Sequence, residues 1–219
     1  MVYSRVNLNS KVVDIEVVDG IITAIEPTIT CSDKLDCNEA LIVPGLVDLS
    51  VNVFENSLSS KTLKKLSIEA KKGGVTHIVL NSTSTPAIDN EIVLEFVLKH
   101  QYNANGATLQ SSFSAINEDG LLSNISILQK KGAVAPFIKT DISNNTISKI
   151  AQYLQMNENT LFCRAVDESL SDSGVMNEGA VSSELGLAGV PELSEVLHVT
   201  QMIEIAKEFN INVLFKNIA

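Results

Sequence analysis

Tryptophan is absent from this 219-residue sequence, aromatic residues make up 5% of it, and there are only three histidines and three cysteines. Each scarcity excludes something. His77, His100 and His198 share no spacing with one another, so no local histidine motif for a metal is written in the chain. Cys31, Cys37 and Cys163 are odd in number and lack zinc-site spacing, and Cys163, inside the apolar run Leu161-Phe162-Cys163, reads as a buried free thiol. No apolar run approaches the roughly 18 residues of a membrane span. Met1-Val2-Tyr3-Ser4-Arg5 lacks the charged-then-apolar pattern of a secretion signal. Together these predict a cytoplasmic protein with reduced thiols and no membrane contact. Glycine is too dispersed for a phosphate loop: Gly73-Gly74 reads as a helix cap and turn, and no Gly-x-Gly-x-x-Gly follows a strand. Positive charge is also in short supply. With 16 Lys and Arg against 26 Asp and Glu the net charge is −10, which argues against nucleic acid or an anionic membrane as the main partner. The acids are scattered singly, as on a solvated surface; Glu118-Asp119 and Asp167-Glu168 are adjacent in sequence and so point different ways.

What is present suits a packed globule: 45% hydrophobic residues and a mean hydropathy of +0.19. Residues 1–43 form a β-rich element. Val12, Val13, Ile15, Val17 and Val18 lead to Asp19-Gly20, then Ile21, Ile22, Ala24 and Ile25 follow, which is the pattern of a hairpin ended by Pro27. A further strand is predicted at Leu41-Ile42-Val43. From Pro44 to residue 219 strands and helices alternate. Strands are predicted at 46–53, 76–80, 108–115, 133–138, 161–166 and 211–215, with helices near 63–70, 90–100, 123–131, 146–154 and 192–209 and a long loop before the last helix. Such alternation implies right-handed crossovers and a parallel sheet. Six βα units are fewer than the eight of a closed barrel, which typically takes ~250 residues, and periodicity alone does not separate a partial barrel from an open sheet.

Several strings carry a family resemblance. Ala40-Leu41-Ile42-Val43-Pro44-Gly45-Leu46-Val47-Asp48-Leu49 resembles the approach to the first barrel strand of dihydroorotases and related amidohydrolases. Ala70-Lys71-Lys72-Gly73-Gly74-Val75-Thr76 is similar to their Gly-Gly-Val-Thr segment before strand two, and Thr83-Ser84-Thr85-Pro86-Ala87-Ile88-Asp89 to their Asn-Thr-x-Pro-x-x-Asp loop. Gly174 to Gly179 and Ser183 to Leu187 with Pro191-Glu192 resemble the region after strand five. The resemblance implies an α/β fold: an incomplete (β/α)8 TIM-type barrel of about six units, preceded by a small N-terminal β-sandwich element.

In that family the barrel's strand ends hold one or two zinc ions, whose bound water has its pKa lowered to ~7 and attacks a ring amide. Here the resemblance puts other residues at the ligand positions. The His-x-His pair of strand one becomes Ser50 and Asn52, the strand-five histidine becomes Arg164 and the strand-six histidine Asn217, with Lys216 beside it. Lys139 or Asp141 falls where the strand-four bridging ligand belongs. The substrate-gripping Arg and Asn become Phe54 and Thr83. Neutral oxygen donors are poor substitutes for imidazole, and a guanidinium repels a cation. The expectation is therefore a degenerate member with no zinc and no catalytic residues. By family analogy it is a structural subunit of pyrimidine biosynthesis that assembles with aspartate carbamoyltransferase, in a homo- or hetero-oligomer. Two other readings stay open. One is a metal-dependent cyclic amidohydrolase with an atypical site that includes Asp48, Asn52 and Asp167. The other is a small-molecule-binding module in which Arg164, Lys216 and Lys139 make a positive cleft.

Overall fold

The computed structural model describes residues 1–157, 159–171 and 173–218, in two compact units, Met1–Gly45 and Leu46–Ala219. The first unit is a single four-stranded sheet, one layer of β structure. Its strands are β1 (Val2–Leu8), β2 (Lys11–Val18), β3 (Ile21–Glu26) and β4 (Lys34–Asp36), in the order β3-β2-β1-β4. Strands β1, β2 and β3 pair antiparallel, while β4 runs parallel to β1. The predicted hairpin is β2–β3, and its turn residues Asp19 and Gly20 both have positive φ, 50° and 79°, as a two-residue loop matched to strand twist needs. Strand β1 was not expected. It enters β2 through Asn9 and Ser10, left-handed at φ 50° and 65° with no glycine to announce the turn. The strand expected at Leu41-Ile42-Val43 is reduced to an isolated bridge between Leu41 and Asn7, and Pro44, with no N–H to donate, follows it directly.

Asp14 ties this sheet together. Its buried carboxylate accepts the N–H groups of Arg5 and Ile29, both at 3.0 Å, and the Lys34 ammonium at 2.9 Å. The Ile29 amide, then Lys34 and Arg5, pull it down to about 2 from an ordinary 3.8. A carboxylate depressed in the fold stabilises it fully above its unfolded pKa, and that contribution is lost as pH falls through 2. Asp14→Asn should therefore melt at a lower temperature than the parent at pH 7, with the gap closing toward pH 2. A gap that stays constant in melts across this range would mean that the carboxylate's charge is not what matters.

The second unit begins with β5 (Leu46–Val51) and α1 (Ser60–Lys72), then β6 (Val75–Leu80), α2 (Glu91–Leu98), β7 (Thr108–Ser111), β8 (Phe113–Ser114), α3 (Ile125–Lys130), β9 (Pro136–Lys139), α4 (Asn144–Gln155) and β10 (Thr160–Arg164). The predicted loop that follows contains α5 (Glu168–Ser171), β11 (Met176–Asn177), α6 (Ala180–Leu185) and β12 (Gly189–Val190), elements too short to show a period. Helix α7 (Leu193–Phe209) and β13 (Asn212–Phe215) close the order. Helix starts are set by side-chain caps: Ser59 with Thr62 at α1, Asn90 at α2 and Ser143 at α4.

Strands β5-β6-β7 form one parallel sheet and β8-β9-β10-β13 another. They are halves of one arc. The third strand, expected to be continuous, changes partner at Ser112, whose N–H and hydroxyl both reach the Leu80 carbonyl, at 3.0 and 2.8 Å. One residue on, the Phe113 N–H donates to Ala135 on the other side, at 3.1 Å. The result is a six-stranded partial barrel. Alternation along its strands makes two cores. Ile78, Leu80, Leu109, Leu161 and Cys163 face outward against helix residues such as Leu63, Leu94, Leu128, Ile150 and Met202. Val79, Ala135, Phe137 and Phe162, with Leu214 against them, fill the inside.

Candidate functional site

The C-terminal strand ends of such barrels are where sites assemble. Two residues beyond each member of the interior cluster, alternation brings a side chain back to the same face. Beyond Val79 this is Asn81, beyond Phe137 Lys139, beyond Phe162 Arg164 and beyond Leu214 Lys216.

Lys216 is the centre of this layer. It is 4% exposed; its Nζ donates to Asn81 Oδ1 at 2.7 Å and lies 4.3 Å over the Phe162 ring and 5.7 Å over that of Phe137. An ammonium only donates, so the Asn81 oxygen must face it. The Asn81 Nδ2 is thereby turned to strand one, where it donates to Asn52 Oδ1 at 3.0 Å and Ser50 Oγ at 3.4 Å. One polar chain thus joins strands one, two and six. Burial pulls the Lys216 ammonium down to about 8, with the Asp48 carboxylate acting in the opposite direction.

Of the residues expected at the site, Ser50 and Asn52 are brought together by Asn81. Arg164 ends β10, exposed, with no side-chain partner among the described residues. Asn217 is exposed in a left-handed conformation, φ 59°, and lines a cleft of about 570 Å³ together with Arg164, Asn177 and Ser194. It is Lys216, not Asn217, that enters the interior. Lys139 faces Glu168 at 3.7 Å, and Asp141 is exposed. Phe54 lies in the short 3-10 turn Phe54–Asn56 under the Lys65 ammonium, 4.6 Å from its ring centre, and Thr83 is exposed in the loop after β6. Sequence reasoning missed Asn81. The available signal was its place two residues beyond an interior valine.

The donor set does not fit zinc. The carbonyl oxygens of Asn52 and Asn81 are engaged within the chain, Ser50 is a neutral hydroxyl, and a tethered ammonium sits among them. Among the described residues no three His, Cys, Asp or Glu side chains converge. The atypical trio is dispersed in its bonding: Asp48 accepts the Ser50 N–H at 3.0 Å, Asn52 binds Asn81, and Asp167 accepts from Ser169 and faces His198 Nε2 at 3.6 Å. His77 contacts the Thr76 hydroxyl and His100 the Phe96 carbonyl. Burial drives the Cys163 thiol up to about 12, far from a reactive thiolate. Another cleft, of about 740 Å³, is bordered by Asp89, Glu91, Glu118 and Asp119 and not by the Lys216 layer.

Comparison with known proteins bears on this architecture. Residues 39–212 match the family model described as dihydro-orotase-like. The chain is 30% identical over 184 residues to a dihydroorotase of Ehrlichia canis (strain Jake) and 32% identical over 183 residues to one of Anaplasma phagocytophilum (strain HZ). Each match covers 81% of this chain but 40% of the relative, so the chain spans about two fifths of those proteins' length. Among solved structures, the L-hydantoinase (dihydropyrimidinase) from Arthrobacter aurescens superposes with a TM-score of 0.72 at 16% identity, over 99% of this chain and 52% of its own. A D-hydantoinase from a Bacillus sp. AR9 gives 0.73 at 12% identity, over 99% and 51%. These structures speak for the fold alone, an incomplete barrel.

Proposed function

The chain belongs to the dihydro-orotase-like family, and from that membership we propose that it is a non-catalytic dihydroorotase-like protein of pyrimidine biosynthesis, a structural subunit that assembles with aspartate carbamoyltransferase. The observation that carries the first half is the Lys216–Asn81–Asn52 chain at the strand ends. The family's chemistry needs a metal there, because water at neutral pH is a poor nucleophile until a metal acidifies it. A cation covalently fixed among neutral donors makes that place hostile to a second cation. We assign the resemblance-derived positions Ser50, Asn52, Arg164 and Asn217 to this loss, and Phe54 and Thr83 to loss of the substrate grip.

The structural role is supported by apolar surface. Leu193, Val196 and Leu197 are 53%, 46% and 47% exposed on α7. Apolar surface of this kind favours contact with further polypeptide. The identity of the partner rests on family analogy. Cytoplasmic residence is part of the same proposal; the three unpaired cysteines support it, and among the described residues no helix is long and apolar enough to cross a membrane.

Protein purified without chelator should contain no stoichiometric zinc and should neither open dihydroorotate nor cyclise carbamoyl aspartate above background. In gentle lysates of its own cells it should co-elute with aspartate carbamoyltransferase on size exclusion. Bound zinc with turnover would overturn the non-catalytic reading, and separate elution would overturn the partner alone.

A further inference from the structure

The strand ends hold a second pattern. Lys139 and Arg164 are Cα partners across β9 and β10, and Cys163 pairs with Phe215 across β10 and β13. The next level of that register sets Arg164 beside Lys216, an arrangement held by the Lys216 N–H donating to the Cys163 carbonyl at 2.8 Å. Three neighbouring strands, spaced about 4.8 Å apart, therefore each end in a cation at one level and on one face. Like charges opposite each other on adjacent strands are destabilising, and the neighbourhood does little to offset them. Among the described residues Lys139 has the 3.7 Å approach of Glu168, Arg164 has no side-chain partner, and Lys216 has one neutral oxygen, two aromatic faces and the field of the Asp48 carboxylate. Beside Arg164 the cleft is open, with Asn177, Ser194 and Asn217 offering neutral polar groups and Glu168 and Glu195 on its wall.

We propose that this row is a binding site for the oxyanion group of a small molecule, a carboxylate or a phosphate, gripped by Arg164 and Lys216 with Lys139 adding charge. The place where the family holds a cation is here built to hold an anion. Arg164 supplies the planar pair of donors that matches two oxygens of one such group. Lys216 supplies a buried charge whose remaining N–H bonds an oxyanion would accept. The Asn81 bridge to strand one keeps that charge in place. This inference rests on the strand ends being free of zinc, but it does not depend on the proposed carbamoyltransferase partner.

The test uses the full 219-residue chain with succinate and inorganic phosphate as probes and chloride at matched ionic strength as the control, read by thermal shift and titration calorimetry. At least one oxyanion should raise the melting temperature above the chloride control. Arg164→Gln, a change at an exposed side chain, should keep the circular dichroism spectrum and bind that oxyanion at least about tenfold more weakly, as expected for loss of a charge-assisted pair. Lys139→Gln should weaken it less. Succinate and phosphate together separate a carboxylate site from a phosphate site. The proposal is overturned if neither shifts the melt beyond chloride, or if Arg164→Gln binds as tightly as the parent. A chain that contained stoichiometric zinc would sink both readings, whereas loss of the anion response in a zinc-free chain overturns the anion site alone.

Discussion

Replacing Asn81 by leucine should cost the fold about 1.5–3 kcal/mol, the range for hydrogen bonds to charged groups, and adding Lys216→Met should return most of that loss. Among the described residues the Asn81 amide is the one oxygen that accepts a hydrogen bond from the Lys216 ammonium, at 2.7 Å, and the lysine is 4% exposed. Leucine fills the space but accepts nothing, so the charge stays buried without its hydrogen-bond acceptor, left with ring faces and the field of the Asp48 carboxylate. Ser50 and Asn52 lose their shared donor in the same step. Lys216→Met alone removes the charge and keeps most of the volume. Exchanging a buried charge for an apolar side chain of similar size is often neutral or stabilising, so this variant should lie within about 1 kcal/mol of the parent at neutral pH. Urea melts of the four proteins close a double-mutant cycle, with a coupling of about 2 kcal/mol expected against an additivity error of about 0.5 kcal/mol. Additive losses would show that Asn81 and Lys216 do not act as a unit, and the central element of the site would fall with them.

That pair also marks the limit of what the sequence discloses. The strand–helix alternation from Leu46 onward was legible because each strand carries an apolar run and α1, α2 and α4 begin at a side-chain cap, as at Ser59 before Ser60 to Lys72. The family strings then indicated that the arc is a piece of a barrel rather than an open sheet, which periodicity could not decide. The break at Ser112 was not legible: a serine inside Thr108–Ser114 changes nothing in the apolar pattern, and only the partner strands reveal the switch. The segment between β10 and α7 was hidden for a related reason, since two-residue strands have no period to detect. At the site, motif positions directed attention to Asn217, while strand alternation, counted from Leu214, selects Lys216. Asn81 had no motif at all. Its partner is 135 residues away in the chain, and no local rule connects them. The trio of Lys139, Arg164 and Lys216 was already legible as a positive cleft, but its alignment as one row across β9, β10 and β13 comes from the strand register.

The stability of the parent should rise as the pH is raised from 8 to 10.5, and Lys216→Met should show none of that rise attributable to position 216. Burial sets the folded ammonium at about 8 against an ordinary 10.5, with the Asp48 carboxylate opposing the shift. Between those two values the unfolded chain binds a proton that the folded chain has released, so raising the pH favours the fold. Below 8 the penalty of holding the charge is constant and fully present. The full shift corresponds to about 3 kcal/mol at 1.36 kcal/mol per unit, an upper bound that solvent reaching the strand mouth reduces. Chemical denaturation at half-unit steps from pH 7 to 10.5, on the parent and the methionine variant, isolates the lysine by difference; parallel curves would contradict the buried-charge assignment. An oxyanion bound at the row would supply the opposite charge that Lys216 lacks and lift its pKa back toward 10.5. With a saturating oxyanion ligand the slope above pH 8 should therefore flatten in the parent and be unaffected in the methionine variant. The charge that weakens the empty fold is then the same charge that binds the ligand, and the two variants at positions 164 and 216 separate its cost from its use.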